Sequence, residues 1–140
     1  MKYANTQDII DRYGEDELYT LADRDGNNVL EQASIDRALN DASRLIDGYV
    51  ATRHELPLIK IPDILVRFCV DIAVYMLSQE GGGATDERRL RYEDAVKYLA
   101  QIAVGNINLA INAGPSAVGG GGVVMSSEKR QFSRTMLRGL

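Results

Sequence analysis

Residues 34–57 read SIDRALNDASRLIDGYVATRHELP. Ile35, Ala38, Leu39, Ala42, Leu45, Ile46, Tyr49 and Val50 recur at alternating three- and four-residue spacing, the period of an α-helix with one apolar stripe. The opposite face carries Asp36, Arg37, Asn40, Asp41, Arg44 and Asp47. Pro57 bars continuation, because proline lacks an N–H and its ring obstructs the preceding turn. Gly48 lies inside the pattern, at a cost of about 1 kcal/mol relative to alanine. Either another backbone approaches closely there or the glycine is a tolerated surface residue. Tyr49 beside it, on the buried stripe, favours the close approach.

Upstream, residues 6–14 predict a short helix with Thr6 as N-cap and Gly14 just past its end. Residues 15–21 predict a second, with Leu18, Leu21 and Ala22 turned inward. Helices this short are marginal alone in water and must dock on the long one. Asp23, Asp25 and Asn27 alternate as in a calcium loop, but glycine falls at position 4 and Ser34 at position 12. A calcium loop needs glycine at about position 6 and glutamate at about position 12, so the stretch reads as a turn. Asn28 and Glu31 have capping-box spacing for the long helix.

Downstream, residues 56–62 predict an extended connector, since residues before proline avoid the helical region. Pro62 suits the first position of a helix over residues 63–78. Its apolar stripe of Ile64, Leu65, Phe68, Ile72, Tyr75 and Met76 is widened by Val66, Cys69, Val70 and Ala73, which predicts the most buried helix. Residues 81–83 are glycines, and Thr85 caps a further helix over residues 86–104, stopped by Gly105. Period-2 alternation over residues 107–111 predicts a short strand, and residues 123–126 could form another. The fold class expected is therefore mainly α: a compact bundle of about four helices, two short and at most three longer. Short β segments and an extended C-terminal arm complete it. The division expected is a helical domain over residues 1–112 and a glycine-rich linker with a basic arm over residues 113–140.

The chain has 140 residues and a formal net charge of −4, which argues against a general nucleic-acid binder. The charge is uneven. Residues 123–140 hold Lys129, Arg130, Arg134 and Arg138 against Glu128, a net of +3, whereas the rest carries 12 basic against 19 acidic residues. A basic tail on an acidic body points to contact with acidic surface, with Phe132 and Leu137 as apolar anchors. A single cysteine allows no intrachain disulfide. With neither an apolar leader nor a long uncharged apolar run, the expectation is a soluble protein made inside the cell, without a membrane segment.

Candidate chemistry is sparse. His54 is the one histidine and Cys69 the one cysteine, too few for a zinc site of the usual kind. Cys69 on the apolar face of its helix reads as a buried thiol rather than a nucleophile paired with His54. The glycine runs lack the lysine and hydroxyl residue of a phosphate loop. Arg88, Arg89 and Arg91 could face DNA, but acidic residues flank them. No catalytic residue, cofactor or metal site is expected. Asp71 is the sharper candidate. It forms either a surface pair with Arg67, four residues back, or a partly buried carboxylate locking helices through an arginine such as Arg53 or Arg91.

Several stretches in order resemble the head–tail connector (neck) proteins of Mu-like phages and prophages. They are Tyr3-Ala4, residues 8–14, residues 21–25, residues 38–43 and Ile46-Asp47-Gly48-Tyr49. Leu56-Pro57-Leu58 leading to Pro62, Asp71-Ile72-Ala73 with Tyr75, residues 91–96, Phe132-Ser133-Arg134 and Leu137-Arg138-Gly139 complete the set. The glycine run at residues 119–122 departs from the pattern. The resemblance implies a small helical adaptor in the virion neck, without catalysis or cofactor. It implies a homo-oligomeric ring, a dodecamer, between portal and tail proteins, with DNA passing through unread. A stopper, a tail terminator or a small DNA-binding regulator are the alternatives.

Overall fold

The computed structural model describes residues 1–23, 25–81, 83–109 and 111. Among them five helices form: α1 (Thr6–Tyr13), α2 (Glu15–Ala22), α3 (Gln32–Val50), α4 (Asp63–Gly81) and α5 (Asp86–Ala103). They belong to one compact unit, Met1–Leu109. The mainly α expectation holds, with two short and three long helices. None of the described helices is long and apolar enough to cross a membrane.

The caps differ from expectation at two places. Asn5, not Thr6, starts α1. Its side chain accepts from the Asp8 amide at 3.0 Å while the Asp8 carboxylate accepts from the Asn5 amide at 2.8 Å. That reciprocal pair satisfies two donors which the first turn leaves free. Asn28 does not cap α3, because it sits at φ +62° in the turn before it. There the Asp23 carboxylate accepts from the amides of Asn27 (3.0 Å) and Asn28 (2.7 Å), which accounts for the acidic residue of the apparent calcium pattern. Thr85 does cap α5, accepting from the Arg88 amide at 3.2 Å.

α3 buries Ile35, Ala38, Leu39, Ala42, Ile46 and Val50 along the predicted stripe. Leu45 and Tyr49 at its margin are half-buried. α4 is the central helix, burying residues on nearly every side from Leu65 to Ser78. α3 and α4 are antiparallel. Arg37 near the start of α3 meets Glu80 near the end of α4 at 3.8 Å. α4 and α5 are antiparallel too, with Phe68 against Tyr98 and Tyr75 stacked on Tyr92. The body therefore has two ends. One gathers α2, the start of α3 and the start of α5. The other gathers residues 51–62, which connect α3 to α4, and the close of α5.

Two expectations are corrected. Among the described residues there is no strand, and residues 107–109 leave α5 as irregular chain. Three alternating apolar residues cannot make a strand without a partner ladder, and no described segment offers one. Gly48 is exposed on α3, and a Cβ built there meets nothing within 4 Å. No described backbone approaches it, so the glycine here costs helix propensity without a packing return. Gly48→Ala should stabilise the body by roughly 0.5–1 kcal/mol, read as a raised urea midpoint with an unchanged slope. A lowered midpoint would contradict the open space around it.

Candidate functional site

Asp71 lies on the face of α4 that meets α1, and its side chain is only 4% exposed. A buried carboxylate must be paired or hydrogen-bonded to stay charged. Both oxygens are taken. Oδ1 accepts from Arg12 Nε at 2.7 Å and from the Tyr13 hydroxyl at 2.7 Å, and Oδ2 accepts from Arg12 Nη2 at 3.1 Å. The two-pronged arginine contact fixes direction as well as distance. Arg12 and Tyr13 close α1, so one carboxylate ties that short helix to the central one.

A second cation joins from α5. The guanidinium of Arg91 lies 5.2 Å from the centre of the Tyr13 ring, and that of Arg12 lies 5.7 Å from it. The hydrogen bond from Arg12 to Asp71 raises the arginine further above its ordinary range. Burial, with help from Asp71, raises the Tyr13 hydroxyl. Arg12, Tyr13 and Arg91 also line a cleft of about 450 Å³ with Glu17, Thr85, Glu87 and Arg88. In it Arg88 is engaged by Glu17 and by the carbonyl of Gly83. The cluster binds α1, α2, α4 and α5 into one unit. Its carboxylate is committed to three donors and is not a free base.

The sequence had nominated Arg53 or Arg91 as the partner of Asp71. The partner is Arg12, 59 residues away. Arg67 on the next turn of α4 is exposed and does not make this contact. Arg53 serves the opposite end of the body, donating to the carbonyl of Val104 at 2.9 Å as α5 closes. Arg88, Arg89 and Arg91 all have partners within the body: Glu17, Asp86 and Glu87 respectively.

A second polar cluster escaped the sequence reading. Asp47 Oδ1 accepts from the Tyr3 hydroxyl at 2.7 Å, and Oδ2 pairs with the Met1 amino group at 2.6 Å. Burial first, then Asp47, raises the Tyr3 hydroxyl well above its usual range. Tyr3 and Asp47 both belong to the stretches that carried the family resemblance, and the fold brings them into contact.

Cys69 is fully buried against α3, with Ser43 Oγ at 3.5 Å and the Leu39 carbonyl at 3.9 Å. Burial pushes its thiol up to about 11. His54 lies beyond the end of α3, lining a small cleft with Arg53, Ile102 and Gly105. From Ser43 to the end of α3 at Val50 the helix rises roughly 10 Å, and His54 lies beyond that end, so the fold does not bring the thiol and imidazole together. Among the described residues no group of three or more His, Cys, Asp or Glu could hold a metal ion. The arm residues Lys129, Arg130, Phe132, Arg134, Leu137 and Arg138 lie outside the described residues, as does the second expected strand.

Residues 3–127 match the model of the family described as Bacteriophage Mu, Gp36. The chain belongs to that family. It is 36% identical over 138 residues to the Mu-like prophage FluMu protein gp36 of Haemophilus influenzae, spanning 98% of this chain and 96% of the relative. It is 31% identical over 137 residues to gene product J of Escherichia phage Mu, spanning 96% of each. The shared region takes in both polar clusters, around Asp71 and around Asp47.

Proposed function

We propose that this member of the Mu Gp36 family is a structural, morphogenetic protein of a Mu-like phage or prophage. It acts as the head–tail connector, or adaptor, that joins the portal to the tail in the virion neck. The observation that carries the reading is its relationship to Mu-phage proteins over residues 3–127. Copies assemble as a ring, a dodecamer on the family resemblance, around a channel that DNA crosses without sequence-specific binding. No catalysis, cofactor or membrane enters this role.

Two features support an assembly part. The cluster at Asp71 joins α1, α4 and α5, and the Glu17–Arg88 pair beside it adds α2, which suits a spacer that must keep its shape. The unequal charge of body and tail gives the arm an acidic surface to seek. In this reading residues 113–140 are the reaching element. Lys129, Arg130, Arg134 and Arg138 contact acidic partner surface, and Phe132 and Leu137 anchor it. A DNA-binding regulator is less favoured, because all three arginines at the start of α5 are engaged by their own body. A stopper or tail terminator would differ in its position within the neck.

Deleting residues 123–140 should leave a body that melts as the full chain does but yields heads and tails that fail to join. Electron microscopy of the particles reads the outcome. Normal particles from the truncated protein would refute the role of the arm. The same images locate a labelled chain along the neck and separate adaptor from stopper or terminator.

A further inference from the structure

Among the described residues four large apolar side chains are exposed: Val29, Ile59, Leu90 and Val104. They are not scattered. Ile59 and Val104 belong to the end formed by residues 51–62 and the close of α5. Val29 and Leu90 belong to the opposite end, before α3 and in the second turn of α5. The outer faces of the long helices between these ends carry polar residues of both signs, such as Arg44 on α3 and Asp94 and Lys97 on α5. Such mixed faces are what solvent requires.

Ile59 is the extreme case, 95% exposed. Its neighbour Leu58 is buried, and the Leu58 amide donates to the Met1 sulfur at 3.2 Å. The loop is therefore held in place while it presents the isoleucine outward. Lys60 stands beside it, and Lys2 and Arg53 are exposed at the same end, outnumbering the exposed carboxylates Glu55 and Asp63 there. The opposite end is acidic on balance, although Arg89 and Arg91 there already pair with Asp86 and Glu87. Glu15 and Asp16 open α2, and Asp86 and Glu87 open α5 next to Leu90, all of them exposed. Each end thus carries an exposed apolar residue, and their net charges are of opposite sign.

We propose that bodies of this chain join end to end, with Ile59 of one copy seated against Val29 and Leu90 of the next and Lys60 facing the acidic end that Glu15 and Asp16 open. The occupant of this surface is a second copy. The contact is heterologous, using different patches on the two partners, and such contacts close into rings when the rotation between copies permits. The inference rests on the assembly role proposed above and assigns its contact faces.

The test replaces Ile59 in the full chain with p-benzoylphenylalanine, a photo-crosslinking side chain that an exposed position accommodates. Irradiation is carried out on the purified protein and on particles containing it. A ladder of chain multimers is expected, with cross-links mapped to peptides containing Val29 or residues 86–94. Leu90→Glu should lower the ladder several-fold, and high salt should weaken it. Cross-links to another virion protein, to residues 110–140, to the outer face of α3, or to nothing in both preparations would overturn the proposal. Failure of the connector reading is seen separately. Particles that assemble and function without the chain would refute that role, while the ladder of the purified protein still reports the contact between bodies.

Discussion

Asp71→Ala should cost the helical body about 3 kcal/mol, the largest single-site effect expected among its polar residues. Removing one partner of a buried ion pair typically costs about 3–5 kcal/mol, because the remaining charge stays desolvated and unpaired. Arg12 is 27% exposed, so water can compensate it in part, and about 2 kcal/mol is the reasonable share from that pair. The Tyr13 hydroxyl loses its acceptor as well, adding about 1 kcal/mol. For a body of this size the sum corresponds to a fall in melting temperature on the order of 10 °C. Asp94→Ala, on the exposed face of α5, is the control and should stay within about 0.5 kcal/mol. Adding Arg12→Ala to Asp71→Ala should change little further, because the cation is already without its partner. Equal effects of Asp71→Ala and Asp94→Ala in thermal unfolding would remove Asp71 from its role as the lock.

The position of Asp71 was legible in the sequence and its partner was not, for a physical reason. Helical periodicity reports which residues share a face, so Arg67 was visible as a neighbour four residues back. It cannot report which other helix that face meets. Arg12 belongs to an eight-residue helix whose own spacing carries little information about docking. The long helices were legible because their apolar stripes recur over many turns. α4 even continues to Gly81, the first of the three glycines that composition alone reads as a break.

Other departures have equally local causes. Residues 107–111 alternate with period 2, but pairing with another segment, not alternation, makes a strand, and among the described residues none pairs with residues 107–109. At Gly48 the glycine itself was the signal, and it carries two meanings. Open space around the built Cβ separates them. The contact of Tyr3 and Met1 with Asp47 was hidden because residues 1–5 precede any periodic segment. The assembly role came from an ordered set of short stretches, and no single one has chemistry that specifies a connector.

Gly105→Ala should be the second large effect, at about 2 kcal/mol, and its origin can be separated. Gly105 ends α5 at φ +87°, a backbone region that costs an L-residue about 1–2 kcal/mol. A Cβ there would lie 2.3 Å from Arg53 Nη2 and 2.6 Å from its Cζ, so the guanidinium must leave. Its departure removes the 2.9 Å hydrogen bond to the Val104 carbonyl and the cation at the negative end of α5, together worth up to about 1 kcal/mol at an exposed site. The arginine is flexible and can move, so the clash itself adds little. Arg53→Ala alone should therefore cost up to about 1 kcal/mol. In that background Gly105→Ala should cost only the backbone strain, making the double mutant less destabilised than the sum of the singles. Thermal unfolding of the four proteins in the cycle measures the difference. Strict additivity would mean that Arg53 does not hold the end of α5, and a neutral Gly105→Ala would mean that the chain leaves the helix by another path.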